Sequence, residues 1–377
     1  MRIVLDARYL NGEFSGIAEY SEEFLRFLAA EDSHNEYVVY VHPNYKRQLP
    51  LGENFTVKTF EARPLSLATV FRFGAVVRHE KPDLLHSLFP LTPLFYRGPL
   101  LVTVHDLQAL LVPEFTGLRP ALVRRAYDLF YWWAYPRTVR RARYIVTVSE
   151  VTRKDVARVF PRHADRAIVV HSGVDADRLA DCPPEIIEHV RRHFGLPERY
   201  LLYIGSTRPN KNLPTMLTAY AQAVREHPEI ADVSLVLVVS PDRFFAECRN
   251  LIRTLKISER VQIHRSISDE EKKAFYHGSQ ALFLVTKYEG FGLPLLEAQA
   301  CSVPVLASNH GALPEIGGDS ALFVDPDNPS AIAEGLVRIL TDGALRHDLI
   351  EKGRRNLKRF RWEKTVKTVL QIYNHLF

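Results

Sequence analysis

Glu289-Gly290-Phe291-Gly292-Leu293-Pro294-Leu295-Leu296-Glu297 joins two elements of different kinds. Ahead of it, Ala281-Leu282-Phe283-Leu284-Val285 is a short continuous apolar run of the sort a buried strand shows. Behind the Gly-Phe-Gly turn, Leu293 to Ala300 reads as a helix. A turn at a helix start presents backbone N–H groups without intrahelical acceptors and a partial positive charge, which suits sugar hydroxyls or a diphosphate. Glu289 stands at the mouth of the turn, and Glu297 two helical turns deeper on about the same face. Two acceptors at different depths suit a ligand with two hydroxylated rings, such as a nucleotide sugar. Two solvated glutamates flanking a plain strand-turn-helix unit would give the same spacing.

Outward from this segment, short apolar strands alternate with amphipathic helical stretches along the chain, the pattern of an α/β protein with parallel sheets covered on both faces. Strands are expected at Arg2-Asp6, Tyr37-Val41, Leu84-Ser87, Leu100-Val104, Tyr144-Val148 and Ile168-His171. A second set is expected at Tyr200-Ile204, Ser234-Val239, Val261-His264, Ala281-Val285, Pro304-Ala307 and Ala321-Val324. Between the sets, 175–199 carries Pro183-Pro184 and the charged stretch Glu185-Phe194, and reads as a hinge. With 377 residues, two domains are expected, 1–178 and 179–361, with 362–377 a terminal helix that need not belong to the domain it follows.

Composition is that of an ordinary globular protein, 46% hydrophobic and 25% charged. The net charge of +5 fits an anionic partner, which includes a nucleoside diphosphate, a lipid phosphate, a membrane surface or nucleic acid, and does not choose between them. Cys182, Cys248 and Cys301 have no paired spacing, so neither a disulfide framework nor a zinc site is indicated. The N-terminus enters strand-like sequence without a secretory signal pattern, and Leu84 to Val104 is interrupted by His86, Pro90, Pro93, Arg97 and Pro99. The expectation is a cytoplasmic protein without a membrane-spanning helix.

Other candidate residues follow predicted strands. Lys211 lies in Gly205-Ser206-Thr207-Arg208-Pro209-Asn210-Lys211-Asn212, between a strand end and a helix start, where Arg208 and Lys211 could neutralise a diphosphate. Asn11-Gly12-Glu13-Phe14-Ser15-Gly16-Ile17-Ala18 precedes an amphipathic helix, and a glycine there lets backbone N–H groups approach a phosphate or sugar, although a plain helix-entry turn fits as well. His105-Asp106 follows Leu100-Val104 and could orient a sugar, or pack and cap. Val148-Ser149-Glu150, His171-Ser172-Gly173-Val174-Asp175 and Gly311-Ala312-Leu313-Pro314-Glu315 hold the same kind of position. Asp175-Ala176-Asp177 and Asp325-Pro326-Asp327 read as turns rather than as metal ligands. Arg119 to Arg143 combines Arg124, Arg125, Arg137, Arg140, Arg141 and Arg143 with Tyr127, Phe130, Tyr131, Trp132, Trp133 and Tyr135. It could seat a helix in a membrane interface or at a polyprenyl-linked acceptor, or be an ordinary helix packing its aromatic side on the sheet and broken at Pro136. No nucleic-acid module accompanies it.

The Glu289–Glu297 segment resembles the E-x7-E motif of retaining GT-B glycosyltransferases, in particular family 4, and the likeness extends over nearly the whole chain. It implies two Rossmann-like domains facing a central cleft, an N-terminal acceptor side and a C-terminal nucleotide-sugar side, with the terminal helix crossing back and Trp362 matching a tryptophan common there. Lys211 matches the family's Gly-x(n)-Pro-Arg-Lys-Asn segment; Asn210 occupies the usual basic position and Arg208 lies on the other side of Pro209. By the same likeness Gly16 belongs to the glycine-rich loop, His105 lines the donor sugar's pocket with Asp106 beside it, and Glu289, the Gly290-Phe291-Gly292-Leu293 turn and Glu297 hold sugar and ribose. No cofactor or metal is implied. The closest flavour, bacterial mannosyltransferases of polysaccharide and O-antigen assembly, implies GDP-mannose as donor and a saccharide or polyprenyl-linked saccharide as acceptor, with UDP-glucose or UDP-N-acetylglucosamine open. A nicotinamide-dependent dehydrogenase would need Gly-x-Gly-x-x-Gly after the first strand, which residues 11 to 20 lack. A sugar-binding protein without turnover is the other alternative, favoured only by the displaced Arg208.

Overall fold

The computed structural model describes residues 1–13, 15–112, 121–240, 242–265 and 267–376. Phe14 of the N-terminal loop, Arg119 and Pro120 of the basic-aromatic segment, and Phe377 lie outside this set. The chain divides into two units, Met1–Gly173 with Arg361–Phe377, and Val174–Phe360.

All twelve apolar runs expected as strands form strands, with ends shifted by a residue or two. The first unit holds β1 (Arg2–Asp6), β2 (Glu36–Val41), β3 (Phe55–Thr59), β4 (Leu84–Ser87), β5 (Leu100–Val104), β6 (Tyr144–Thr147) and β7 (Ala167–Val169). They form one parallel sheet in the order β3-β2-β1-β4-β5-β6-β7. The sequence reading misses β3. Its residues Phe55-Thr56-Val57-Lys58-Thr59 lie at the sheet edge, half-exposed, so no continuous apolar run marks them. β4 and β5 are buried along their whole length, as strands covered on both faces must be.

At the carboxyl end of β1, Arg8 is fully buried. Its guanidinium donates to both carboxylate oxygens of Asp6 at 2.7 and 2.6 Å and to Thr69 Oγ1 at 3.0 Å, and its flat face lies 4.0 Å from the Phe73 ring centre. Bidentate pairing and a third acceptor compensate the loss of hydration that an isolated buried charge would suffer.

The terminal helix, Trp362–His375, belongs to the first unit. Trp362 is buried against the rings of Tyr20 and Phe27 in the helix Gly16–Glu31. Tyr373 Oη lies 2.6 Å from His86 Nδ1 on β4, and His86 Nε2 lies 2.9 Å from Thr103 Oγ1 on β5. One imidazole thus ties the last helix to two strands.

The helix Ala121–Arg141 is continuous through Pro136, where a break was expected. Tyr131, Tyr135 and Val139 all enter the same core, so both halves are held on one axis, and the Arg137 guanidinium donates to the Trp133 carbonyl at 2.8 Å beside the proline. No described helix is long and apolar enough to cross a membrane.

The second unit holds β8 (Tyr200–Ser206), β9 (Ser234–Ser240), β10 (Val261–His264), β11 (Ala281–Leu284), β12 (Val305–Ser308) and β13 (Leu322–Val324), parallel in the order β10-β9-β8-β11-β12-β13. From β8 the chain winds one way to β10, then returns to place β11 on the other side of β8. The β8/β11 boundary is therefore a topological switch point, the place where an open α/β sheet leaves room at its carboxyl edge. The segment 175–199 is no free linker: it forms the helices Ala176–Ala180 and Pro184–Phe194, and the second packs on the helix Asp269–Gly278. Pro184 takes the first helical position, where its missing N–H costs nothing, and Gly195 ends the helix at φ 61°. Val174 N–H donates to Phe360 O at 2.9 Å, so the entry and exit of this unit are bonded together.

Burial pushes the pKa of His86 down to about 3, with nearby His105 adding to the effect. The unfolded imidazole titrates near 6.5, so below that pH the unfolded chain binds a proton the folded chain refuses. The contribution of His86 is complete above about pH 6.5 and declines as pH falls from there toward 3. Urea unfolding at a series of pH values from neutral to 5 should show stability falling with acidity. In His86→Gln the slope should be smaller by up to about 1.4 kcal/mol per pH unit; an unchanged slope refutes this account.

Candidate functional site

The loop after β8 and the loop after β11 meet at the switch point of the second unit. Lys211 Nζ lies 2.5 Å from Glu289 Oε1, with the glutamate buried and the lysine partly exposed. Two asparagines fix this geometry. The Asn210 carbonyl accepts Lys287 N–H at 2.8 Å, and its side-chain amide donates to the Tyr288 carbonyl at 3.2 Å. Asn212, at a left-handed φ of 59°, donates from Nδ2 to the carbonyls of Val285 (3.1 Å) and Pro326 (2.8 Å). Asparagine tolerates that backbone conformation better than most residues, and its side chain satisfies two carbonyls at once. The sequence reading registers Asn210 only as a missing positive charge, yet it is buried and welds the two loops. Arg208, expected to compensate, is exposed at the start of the turn Pro209–Lys211.

Behind Glu289 the backbone is equally constrained. Gly290, Phe291 and Gly292 are buried, and Phe291 packs edge-on against Phe360 at 5.9 Å. Gly292 adopts φ 106° and precedes the helix Leu293–Ala300, which has no side-chain cap and carries Pro294 in its first turn. In the same unit the helices opening after Asp175, Ser268, Asn328 and Asp342 are each capped by that side chain. The helices opening at Leu213 and Leu293, which flank the Lys211–Glu289 pair, have no such cap, nor do those opening at Pro184, Phe245 and Leu313; here the amides of Leu213 and Leu293 stand beside the ion pair. From the loop after β12, Ala312 N–H donates to Glu289 O at 3.0 Å. The segment Gly311–Glu315 thus supports Glu289, a contact the sequence does not announce.

Glu297 is enclosed by neighbouring side chains. It is 4% exposed, with Oε1 2.6 Å from Lys272 Nζ and Oε2 accepting from Tyr276 Oη at 2.7 Å. Lys272 and Tyr276 both come from the helix Asp269–Gly278. Glu297 is therefore not a solvated twin of Glu289 on a shared open face. Its carboxylate is clamped from behind, with a buried ammonium balancing its charge.

In the first unit, Gly16 opens the helix Gly16–Glu31, capped by Ser15 Oγ, which accepts from Ala18 N–H at 3.1 Å. A Cβ on Gly16 would meet no atom within 4 Å, so this exposed helix start is unobstructed. One turn on, Tyr20 lays its ring edge against His105, centroids 4.7 Å apart. His105 Nε2 is 2.9 Å from the Leu88 carbonyl, which only accepts, so Nε2 carries the proton and Nδ1 is the lone-pair nitrogen. Burial drives its pKa down to about 4, the carbonyl opposing, and the ring is neutral near pH 7. Thr152 Oγ1 donates to the His105 carbonyl at 3.3 Å from the helix that Ser149 caps. Asp106 performs the capping alternative: its carboxylate accepts from Gln108 N–H at 3.0 Å and Gln108 Nε2 at 3.1 Å.

Both Asp-x-Asp matches are built as turns. Asp175 caps the helix Ala176–Ala180 through Arg178 N–H, while Asp325 accepts Asp327 N–H at 2.9 Å and Asp327 pairs with Lys287.

Gly311 lies at φ 62°, and an added Cβ would stand 2.8 Å from Glu289 N and 2.9 Å from Glu289 O. Gly311→Ala should therefore displace Glu289 and weaken nucleotide binding by tenfold or more, about 1.4 kcal/mol, while Gly16→Ala, with open space, keeps the fold unchanged. Calorimetry and thermal melts of the two variants check this pair of outcomes.

Two family models match the chain: Glycosyltransferase Family 4 over residues 14–178 and Glycosyl transferases group 1 over residues 187–356. O-antigen chain mannosyltransferase B of Escherichia coli is 26% identical over 395 aligned positions, covering all of both chains. Among solved structures, a sucrose-phosphate synthase from Thermosynechococcus elongatus superposes with a TM-score of 0.76 at 22% identity, covering 100% of this chain and 99% of that one. Anabaena Alr3699/HepE in complex with UDP and glucose superposes with a TM-score of 0.76 at 17% identity, covering 100% of both. Two parallel Rossmann-like sheets, with the E-x7-E glutamate and its lysine partner on adjoining strand ends and a family model on each half, place the chain among the family 4 glycosyltransferases of GT-B architecture.

Proposed function

We propose that the chain is a retaining, nucleotide-sugar-dependent hexosyltransferase that moves mannose from GDP-mannose to a hydroxyl of a saccharide acceptor, lipid-linked, in cell-surface polysaccharide or O-antigen synthesis on the cytoplasmic side of the membrane. The observation that carries the reading is the Lys211–Glu289 pair at the switch point, beside two uncapped helix starts. The end-to-end likeness to a mannosyltransferase supports the sugar.

In this reading the diphosphate draws the Lys211 ammonium, with Arg208 and the amides at Leu213 and Leu293 sharing the charge, so the leaving group needs no divalent cation. Glu289, held by the Asn210 and Ala312 backbone bonds, accepts from sugar hydroxyls. Glu297 accepts from the ribose, and Lys272 and Tyr276 hold its rotamer. His105 offers Nδ1 or its main chain to the sugar, Gly16 offers an unobstructed helix start, and Asp106 orders the loop carrying His105. The bond from the anomeric carbon to the phosphate oxygen breaks, the acceptor oxygen bonds on the same face, and the acceptor's proton passes to the departing phosphate.

Calorimetric titration of GDP, UDP and ADP, without metal, tests the donor. GDP should bind at least tenfold more tightly than UDP, about 1.4 kcal/mol; preference for UDP would replace mannose by another sugar and leave the roles standing. Lys211→Ala should abolish sugar transfer with circular dichroism unchanged, and a variant with undiminished turnover would remove Lys211 from the mechanism. The anomeric coupling of the product by NMR reports retention or inversion.

A further inference from the structure

Among the described residues, the large apolar side chains left exposed are concentrated on one part of the first unit. All but Val57 and Ile186 come from the helix Leu67–Phe71, the loop at Phe95 and the helix Ala121–Arg141. Leu122, Leu129 and Trp132 are more than half exposed, and Phe71 and Phe95 about half. The three segments adjoin: the Phe71 ring lies 6.2 Å from Phe95 and 6.1 Å from Trp133. A contiguous set of this kind is an interaction surface rather than the scattered exposed leucines of any protein.

Its periodicity separates it from the core. On the helix Ala121–Arg141, Tyr131, Tyr135 and Val139 enter the sheet core, whereas Leu122, Arg125, Leu129, Pro136 and Arg140 share the opposite face by their three- and four-residue spacing. The aromatic segment thus does both things its composition allows, packing one side on the sheet and presenting the other outward.

The rim is basic. Arg124, Arg125 and Arg140 are exposed on this helix, and Arg72 and Arg97 are exposed next in sequence to Phe71 and beyond Phe95, while Asp128 is the one carboxylate between 121 and 141. Other arginines build the platform. Arg141 donates to the carbonyls of Pro93 and Leu94 at 3.0 Å each, and Arg78 to the Phe95 carbonyl at 3.1 Å, so the loop carrying Phe95 is fixed in advance. Val70, Phe89, Leu91 and Ala134 form a closed cluster beneath.

We infer that this face is a docking surface for an anionic lipid bilayer. Leucine, phenylalanine and tryptophan side chains enter the boundary between headgroups and acyl chains, and the arginines meet lipid phosphates. A second copy of the chain is the poorer occupant, because it would set the same arginine rim against itself. The inference stands apart from the donor assignment, since no patch residue lies in the second unit.

Sedimentation of the full chain with phosphatidylcholine vesicles, with and without phosphatidylglycerol, tests it. Binding to the anionic vesicles, weakened by high salt, is expected, with a blue shift of tryptophan fluorescence. The double variant Leu129→Glu with Trp132→Glu should lose roughly tenfold or more of that binding while keeping its nucleotide affinity and melting temperature. No preference of the wild type for anionic vesicles, or undiminished binding of the variant, overturns the inference. So does a dimer that the double variant dissociates, for it would assign the face to a second copy.

Discussion

Parallel pairing of β11 beside β8 is the constraint on which the candidate donor site depends. Lys211 and Glu289 are 78 positions apart and reach 2.5 Å only because Ala281 and Leu282 pair with Leu201 and Leu202. Reversal of winding at this boundary leaves the carboxyl edge open where the two loops emerge. Asn210 and Asn212 turn adjacency into registry by bonding one loop to the backbone of the other. A partly buried ion pair gains its strength from such fixed geometry, since desolvation would otherwise cancel much of the attraction.

The first unit uses burial to opposite effect. His86 and His105 are kept neutral by desolvation, one as a bridge between strands and the terminal helix, the other with a defined tautomer set by the Leu88 carbonyl. Asp6 and Arg8 remain side by side at the end of β1, each oxygen of the carboxylate matched by a guanidinium N–H. Neutral rings and a matched pair leave the carboxyl edge of this sheet polar without stranding a charge in it.

Some departures from local rules stand together at the candidate site and on the exposed patch. Around the β8 and β11 loops stand Asn212 at positive φ, two helix starts without side-chain caps, and a carboxylate clamped by a buried lysine. Exposed leucine and tryptophan gather on one helix face of the other unit. A single departure of this kind is common in the fold; several together at one strand edge, or on one surface, point to a ligand or a partner.

Residues 281–300 show how far the chain can be read without a structure. Periodicity, turn glycines and apolar runs placed that strand and helix, and eleven more strands, because those signals act over a few neighbouring residues. The edge strand β3 lacked the signal, since half-exposed strands carry no continuous apolar run. Lys211 and Glu289 were legible as candidates, but that they touch was not, because contact between them depends on strand order. Nor was the difference between Glu289 and Glu297 legible: equal carboxylates on one motif diverge when Lys272 and Tyr276 approach only the second. Asn210 read as a lost charge and Asp106 as either a sugar-orienting group or a cap; packing made Asn210 a weld and gave Asp106 the capping bonds. The order of residues along the chain determined which local elements form and which chemical groups end them; which groups share a site, and which face of an aromatic helix meets solvent, was decided by the long-range pairing of strands, since burial and partners exist only once distant segments come together.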